Sequence, residues 1–271
     1  MTALVLEQRA ATAQRLDMAS LSTHILAQPS IDAVQRMPLQ CGREKTQVGE
    51  VFQVTQTQGY RHVIRPCAGN LDRLGAGMSV GELVVEGDAG HHLGAQMTGG
   101  RLLVLGHAGD FAASALKGGL IEIYGDCGMG LGAPAPGQMQ GMSGGFVRVR
   151  GNCGQRAGER QRRGIILLEG DTGPGLGAGM IAGTLIVLGM TGEGPGREMR
   201  RGTLLLDRMP ASLPLTFNDN GTQRLGFLAL LRGELDRLEA LPRTWRERAP
   251  IARRFIGDLA CAGQGEVLVW P

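Results

Sequence analysis

The sequence predicts a mainly β protein, a right-handed parallel β-helix of about seven to eight 19-residue coils with an N-terminal cap and a C-terminal helical extension. Three observations predict it. First, the chain repeats: GELVVEGDAGHHLGAQMTG from Gly81 is followed by GRLLVLGHAGDFAASALKG from Gly100, and similar units open at Gly119, Gly145, Gly164, Gly183 and Gly202. Every step is 19 residues except Gly119 to Gly145, which is 26, the surplus falling in the Pro/Gly stretch APAPGQMQG. Second, two apolar columns run through the repeats two residues apart. They read Leu83, Leu102, Ile121, Val147, Ile166, Leu185, Leu204 and Val85, Val104, Ile123, Val149, Leu168, Val187, Leu206, the period-2 mark of a strand with one buried face. Third, 45 of 271 residues are glycine, more than twice the usual share, and they recur in register. Nineteen residues are too few for a βαβ unit of about 30, and the leucine-rich-repeat pattern is absent. Stacked coils of parallel strands remain, a rod of about 40 Å at 4.8 Å per coil.

Each element follows in order. Residues 1–61 combine a strand at Ala3–Leu6, a helical stretch and Gly49-Glu-Val-Phe-Gln-Val-Thr, and read as a cap on the first coil. The solenoid spans 62–208, its first unit degenerate (62–80). In each repeat glycine ends the strand (87, 106, 125, 151, 170, 189), where a turn needs positive φ or close backbone approach. A third column, Met78, Met97, Leu116, Met142, Met180 and Met199 with Gln161 as the exception, suits an irregular interior. Residues 209–271 form the extension. There Leu225, Leu228, Leu231, Leu235, Leu238 and Leu241 mark an amphipathic helix ended by Pro242 that would cover the open end of the solenoid. Gly263–Trp270 reads as one more strand.

Composition narrows the function. No apolar stretch reaches the roughly 18 residues of a membrane span, and the N-terminus lacks the order of a secretory signal, so the expectation is a cytoplasmic chain with no membrane contact. A net charge of +3 does not imply nucleic acid. Cys41, Cys67, Cys127, Cys153 and Cys261 are scattered without a CxxC, against a zinc ribbon, an iron–sulfur cluster or a disulfide framework. Of the histidines His24, His62, His91, His92 and His107, only the last three crowd together, and no carboxylate or Cys stands in ligand spacing with them; no metal site is expected. No nucleophile carries a recurrent base. Asp88, Asp126, Asn152 and Asp171 share a turn column, where such residues are ordinary. The sequence thus presents no catalytic residues.

Two surface features rise above this background. The outward column Val84, Leu103, Glu122, Arg148, Leu167, Ile186, Leu205 is largely apolar, so that face is covered, by the chain's own ends or by another protein; Leu103, Leu167, Ile186 and Leu205 are the expected interface residues. The second feature is arginine. The chain has 26 arginines and two lysines, and Arg148, Arg156, Arg160, Arg162, Arg163, Arg197, Arg200 and Arg201 crowd one stretch. Their forks suit carboxylates, either as a salt-bridged rim or as a track for an acidic partner or polyanion.

The runs GNLDRLGAGM (69–78) and VVEGDAGHHLGAQMTGG (84–100), with the closing IGDLACAGQGEV (256–267), resemble the C subunit of formylmethanofuran dehydrogenase, over nearly the whole chain. The coil motif also occurs in the C-terminal domain of glutamate synthase, but a free-standing chain with both characteristic ends favours the dehydrogenase family. Two relatives carry it, the archaeal tungsten or molybdenum dehydrogenase and a bacterial formyltransferase/hydrolase complex. The arginine bias favours the bacterial one, in which formyl passes between tetrahydromethanopterin and a methanofuran- or methylofuran-type carrier and is hydrolysed to formate. The resemblance implies a non-catalytic scaffold subunit that binds no cofactor tightly. Its partners would be an amidohydrolase-like subunit, a formyltransferase subunit and a molybdopterin-oxidoreductase-like subunit. It also implies that the arginine track could hold the carrier's polyglutamate tail. The alternatives are the corresponding chain of the archaeal dehydrogenase and a self-contained β-helix enzyme.

Overall fold

The computed structural model describes residues 2–21, 30–135 and 137–270; His24 lies outside them, as does Pro136 of the APAPGQMQG stretch. The strands are β1 (Thr2–Gln8), β2 (Leu16–Asp17), β3 (Pro38–Cys41), β4 (Glu44–Gln47), β5 (Phe52–Gln58), β6 (Arg61–Arg65), β7 (Leu71–Asp72), β8 (Glu82–Val85), β9 (Arg101–Val104) and β10 (Leu120–Ile123). They continue with β11 (Ser143–Val149), β12 (Arg163–Leu168), β13 (Thr184–Val187), β14 (Thr203–Leu206), β15 (Asn218–Arg224), β16 (Ile251–Gly257) and β17 (Gly265–Val269). Short helices α1 (Ile31–Gln35) and α2 (Val48–Val51) lie near the N-terminus, and α3 (Phe227–Arg237) near the C-terminus. No helix of the described residues is long and apolar enough to cross a membrane.

The protein is mainly β, with one large, mostly parallel sheet ordered β15-β16-β17-β14-β13-β12-β11-β10-β9-β8-β6-β1-β5. Its register is the repeat itself: Leu83 pairs with Leu102, Leu102 with Ile121, Val147 with Ile166, Ile166 with Leu185 and Leu185 with Leu204. The 26-residue step keeps the same register, Ile121 opposite Val147, so its surplus residues loop out of the stack. A second ladder joins Ala89, Ala108, Cys127, Cys153, Thr172 and Thr191 in parallel. Both apolar columns and the whole methionine column are buried, Gln161 included. Gln161 donates from Nε2 to the carbonyls of Arg163 and Gly164, 3.2 and 2.9 Å away, while its buried Oε1 has no hydrogen-bond partner among the described residues.

The glycines divide by cause. Gly164 has φ +88°, the left-handed region that favours glycine. Gly170 does not, but a Cβ there would stand 2.5 Å from the carbonyl oxygen of Gly151 in the repeat before. At that column it is close stacking of the backbone that excludes a side chain.

Both ends join the main sheet. At the N-terminal end β1 lies parallel to β6 and antiparallel to β5. At the other end β17 adds in parallel to β14, and β16 and β15 follow antiparallel. The expected end-cap role of the amphipathic helix is therefore corrected. Strands extend the last repeat, with Phe217 and Phe255 in the interior cluster, while α3 lies along the outer face.

That placement also corrects the interface assignment of Leu167, Ile186 and Leu205. All three are buried within the chain, together with Leu228 and Leu235 of α3, Trp245, Leu268 and Trp270. The indoles of Trp245 and Trp270 meet at 4.7 Å, and Asp207 accepts from Trp245 Nε1 at 3.1 Å and pairs with Arg248. The leucine stripe of α3 has its partner in its own molecule. Leu103, three repeats before Leu167 on that column, stays half-buried and uncovered.

Two stability predictions follow from these contacts. Ile186→Glu puts a charge under α3, and the isolated chain should lose on the order of 3 kcal/mol or more, whereas Leu103→Glu should cost about 1 kcal/mol or less; denaturant titration of the two variants measures the difference. His62 heads the Leu83 column, accepts the Leu4 N–H at Nδ1, 3.2 Å away, and burial lowers its pKa below the ordinary histidine value. The unfolded chain then binds the proton more readily, so this contribution is complete above about pH 6.5 and fades as pH falls below it. Thermal midpoints across pH 5–8 should show an acid-side loss that His62→Phe reduces.

Candidate functional site

The groups that sequence reading set aside as catalytic candidates have other tasks in the fold. His91 and His107 accept the N–H groups of Asp110 and Asp126 at Nδ1, each at 2.9 Å. Asp88, Asp126, Asn152 and Asp171 do the same for the next repeat, at 2.7–2.9 Å. The turn column is thus a ladder of side-chain acceptors that satisfies backbone donors between repeats. His92 stacks on Phe111. A hydrogen bond to Cys153 and burial push the Cys127 thiol well above its usual pKa, which makes it a poor nucleophile. Among the described residues no three of His, Cys, Asp and Glu stand together as a metal set.

The arginines separate into bound and free. Arg148 points from the outer face of β11 into a small recess of about 120 Å³. It reaches Glu122 at 3.3 Å and the Glu239 carbonyl at 3.2 Å, and also pairs with Glu169. Glu122 is buried and takes Arg150 and Arg101 as well, at 2.8 and 3.6 Å. This network ties the end of the α3 segment to the sheet. Arg156 is bidentate on Glu159, 2.7 Å through both Nε and Nη2, and that bond raises its pKa further. Arg148 and Arg156 therefore leave the expected track, because intramolecular carboxylates occupy them.

Arg162, Arg163, Arg200 and Arg201 do come together. They line one groove of about 900 Å³ with Ser143, Ile181, Ala182 and Gln264. All four are exposed, no carboxylate lines the groove, and none of the four forms an ion pair among the described residues. Elsewhere the chain pairs its arginines readily, as in Arg15–Asp72, Arg61–Glu82, Arg65–Glu86 and Arg254–Glu266. Arg160 stands apart on the Met139 sulfur. Arg197 lies near Asp258, whose burial would raise its pKa; hydrogen bonds from Thr216, Glu198 and Ala260 and the Arg197 charge hold it below the usual value instead. Gln264, Cys261 and Ala262 reach the groove from the C-terminal segment, a placement outside any 19-residue column. These four guanidinium forks stand in a groove with no carboxylate in its lining, and guanidinium geometry matches carboxylate and phosphate oxygens.

A crystal structure of the formyltransferase/hydrolase complex (FhcABCD) from Methylorubrum extorquens, in complex with methylofuran, contains a chain similar to this one. The two share 34% sequence identity with a TM-score of 0.89, over 98% of this chain and 99% of that one. No family model matches the chain, and no curated protein matches it.

The bound and free arginines should respond oppositely to substitution. Arg148→Gln strips a partner from buried Glu122 and should cost about 2 kcal/mol. Replacing Arg162, Arg163, Arg200 and Arg201 together by Gln breaks no bond and relieves like-charge repulsion, so stability should hold or rise slightly. Denaturation midpoints of both variants test this.

Proposed function

The chain belongs to the family of the formylmethanofuran dehydrogenase C subunit, and is most like the member found in the formyltransferase/hydrolase complex; we propose that it serves such a complex as a non-catalytic scaffold. In this reading the repeats wind as a right-handed parallel β-helix, a stiff cytoplasmic rod against which an amidohydrolase-like, a formyltransferase and a molybdopterin-oxidoreductase-like subunit assemble. The acceptor turns and the high-pKa Cys127 support placing the chemistry in those partners. The uncovered stretch of outer face around Leu103 is the one part of the expected interface still free to meet them.

The observation that carries a role toward the carrier is the groove of four unpaired arginines. The relative was crystallised with methylofuran, and a methanofuran-type carrier bearing a glutamyl tail would find in this groove guanidinium forks with no competing carboxylate. The carrier supplies the formyl-bearing head when bound; this chain's residues would hold the tail. Wet, exposed contacts of this kind are individually weak, so the tail would be retained near the complex while its head moves.

Kinetics of the assembled complex test this. Substituting Arg162, Arg163, Arg200 and Arg201 together by Gln should raise KM for the long-tailed carrier and leave a tail-less analogue unaffected. The effect should shrink as salt rises from about 50 to 500 mM and the Debye length falls from about 14 to 4 Å. Equal kinetics on both carriers would return these arginines to the role of a solvated rim.

A further inference from the structure

The main sheet ends in two free edges, and they are built differently. At one end β15 carries Asp219 and Arg224, and its pairing with β16 is broken between Asp219 and Thr222. Charge and irregularity of this kind blunt an edge against further pairing. At the other end β5, FQVTQTQ, pairs with β1 along its whole length without a break. It contains no charged residue and no proline, and residues 55–58 are all exposed.

Hydrogen-bond parity shows which groups of β5 point outward. The Arg9 N–H donates to the Val51 carbonyl at 2.9 Å, so every second residue from Val51, namely Gln53, Thr55 and Thr57, faces β1. Leu4, opposite Gln56, turns its N–H instead to Nδ1 of His62 on β6, as that parity requires. Phe52, Val54, Gln56 and Gln58 therefore turn their backbone groups away from β1. The Phe52 N–H is taken by the Val48 carbonyl of α2. Among the described residues, no hydrogen bond reaches the outward groups of Val54, Gln56 or Gln58.

We propose that this edge joins two copies of the chain, β5 antiparallel to β5, with the twofold axis at Gln56. In that register Gln56 lies opposite Gln56, and Val54 opposite Gln58 on either side. The outward N–H and C=O groups of all three residues are then met, in about six hydrogen bonds. A strand without charge sets no like charges across the axis. Tyr60, 61% exposed, falls level with Phe52 of the other copy by the same count, and adds apolar contact to hydrogen bonds that are individually weak in water. The occupant is a second copy because the strand is complementary to itself about Gln56. The interrupted, charged β15 does not supply the other half, so the contact closes as a dimer and does not grow into a fibre. The inference is independent of the carrier-tail reading.

Sedimentation of the full chain across about 1–100 μM should show a monomer–dimer equilibrium. Gln56→Pro removes an outward N–H and none that faces β1. It should weaken the dimer about tenfold or more while the thermal midpoint of the dilute chain holds. Gln56→Lys keeps the backbone and sets two ammonium groups across the axis, so it too should weaken the dimer, by a margin that shrinks at high salt. Gln56→Thr, an uncharged strand former, should leave the dimer intact. A chain that stays monomeric throughout, or a dimer indifferent to both the proline and the lysine, would overturn the proposal. So would a purified complex with one copy of this chain in which the Gln56 and Gln58 amides resist hydrogen exchange, because a strand of another subunit would then hold the edge.

Discussion

Backbone register between successive repeats is the constraint on which the rest of this structure depends. Each repeat pairs its backbone N–H and carbonyl groups with the repeats before and after it, on the main sheet, on the Ala89-to-Thr191 ladder and along the Met78 column. Buried backbone groups must be paired, and in-register stacking pairs them only if the spacing is conserved or its surplus expelled. The 26-residue step obeys this: Val147 still sits opposite Ile121, and the added residues leave the stack. The same stacking forbids a side chain where two turns touch, as at Gly170 over Gly151. It also turns Asp88, His107, Asp126, Asn152 and Asp171 into one line of acceptors.

Register converts sequence columns into surface stripes, and the molecule uses these stripes differently. The inner stripes are apolar and closed. The outer stripe is closed over Leu167, Ile186 and Leu205 by α3 and the two tryptophans, and open around Leu103. Glu122 and its arginines mark the boundary, a buried carboxylate whose desolvation is offset by several guanidinium partners at once. On another edge, among the described residues, no carboxylate lines the groove of Arg162, Arg163, Arg200 and Arg201. Self-repulsion there is tolerated because the groove is wet.

The in-register parallel sheet was legible because its cause is local and periodic: apolar residues two apart, glycine at fixed offsets and a 19-residue step leave few folds to choose among. The groove was partly legible. Arg162, Arg163, Arg200 and Arg201 lie two repeats apart, and their common edge follows from counting. Arg148 and Arg156 were misplaced because a column gives the edge of a side chain but not its partner, and Glu122 and Glu159 are partners chosen by rotamer and reach. Gln264 and Cys261 carry no periodic mark, since they enter from a segment outside the repeat.

By itself, then, the sequence determined the stack, its inner columns, the abundance of arginine along one edge and the resemblance that places the chain in its family. These depend on spacing along the chain, which parallel register transmits unchanged into space. Only the tertiary structure decided where the C-terminal helix lies, and with it whether Leu167, Ile186 and Leu205 face a partner or their own molecule. The leucine stripe of α3 records that the helix must bury one side, but an apolar stripe fits an open end and an outer face equally well. The choice falls to the indole pair and to the bonds of Asp207 with Trp245 and Arg248, contacts between residues far apart in the chain that no local period encodes.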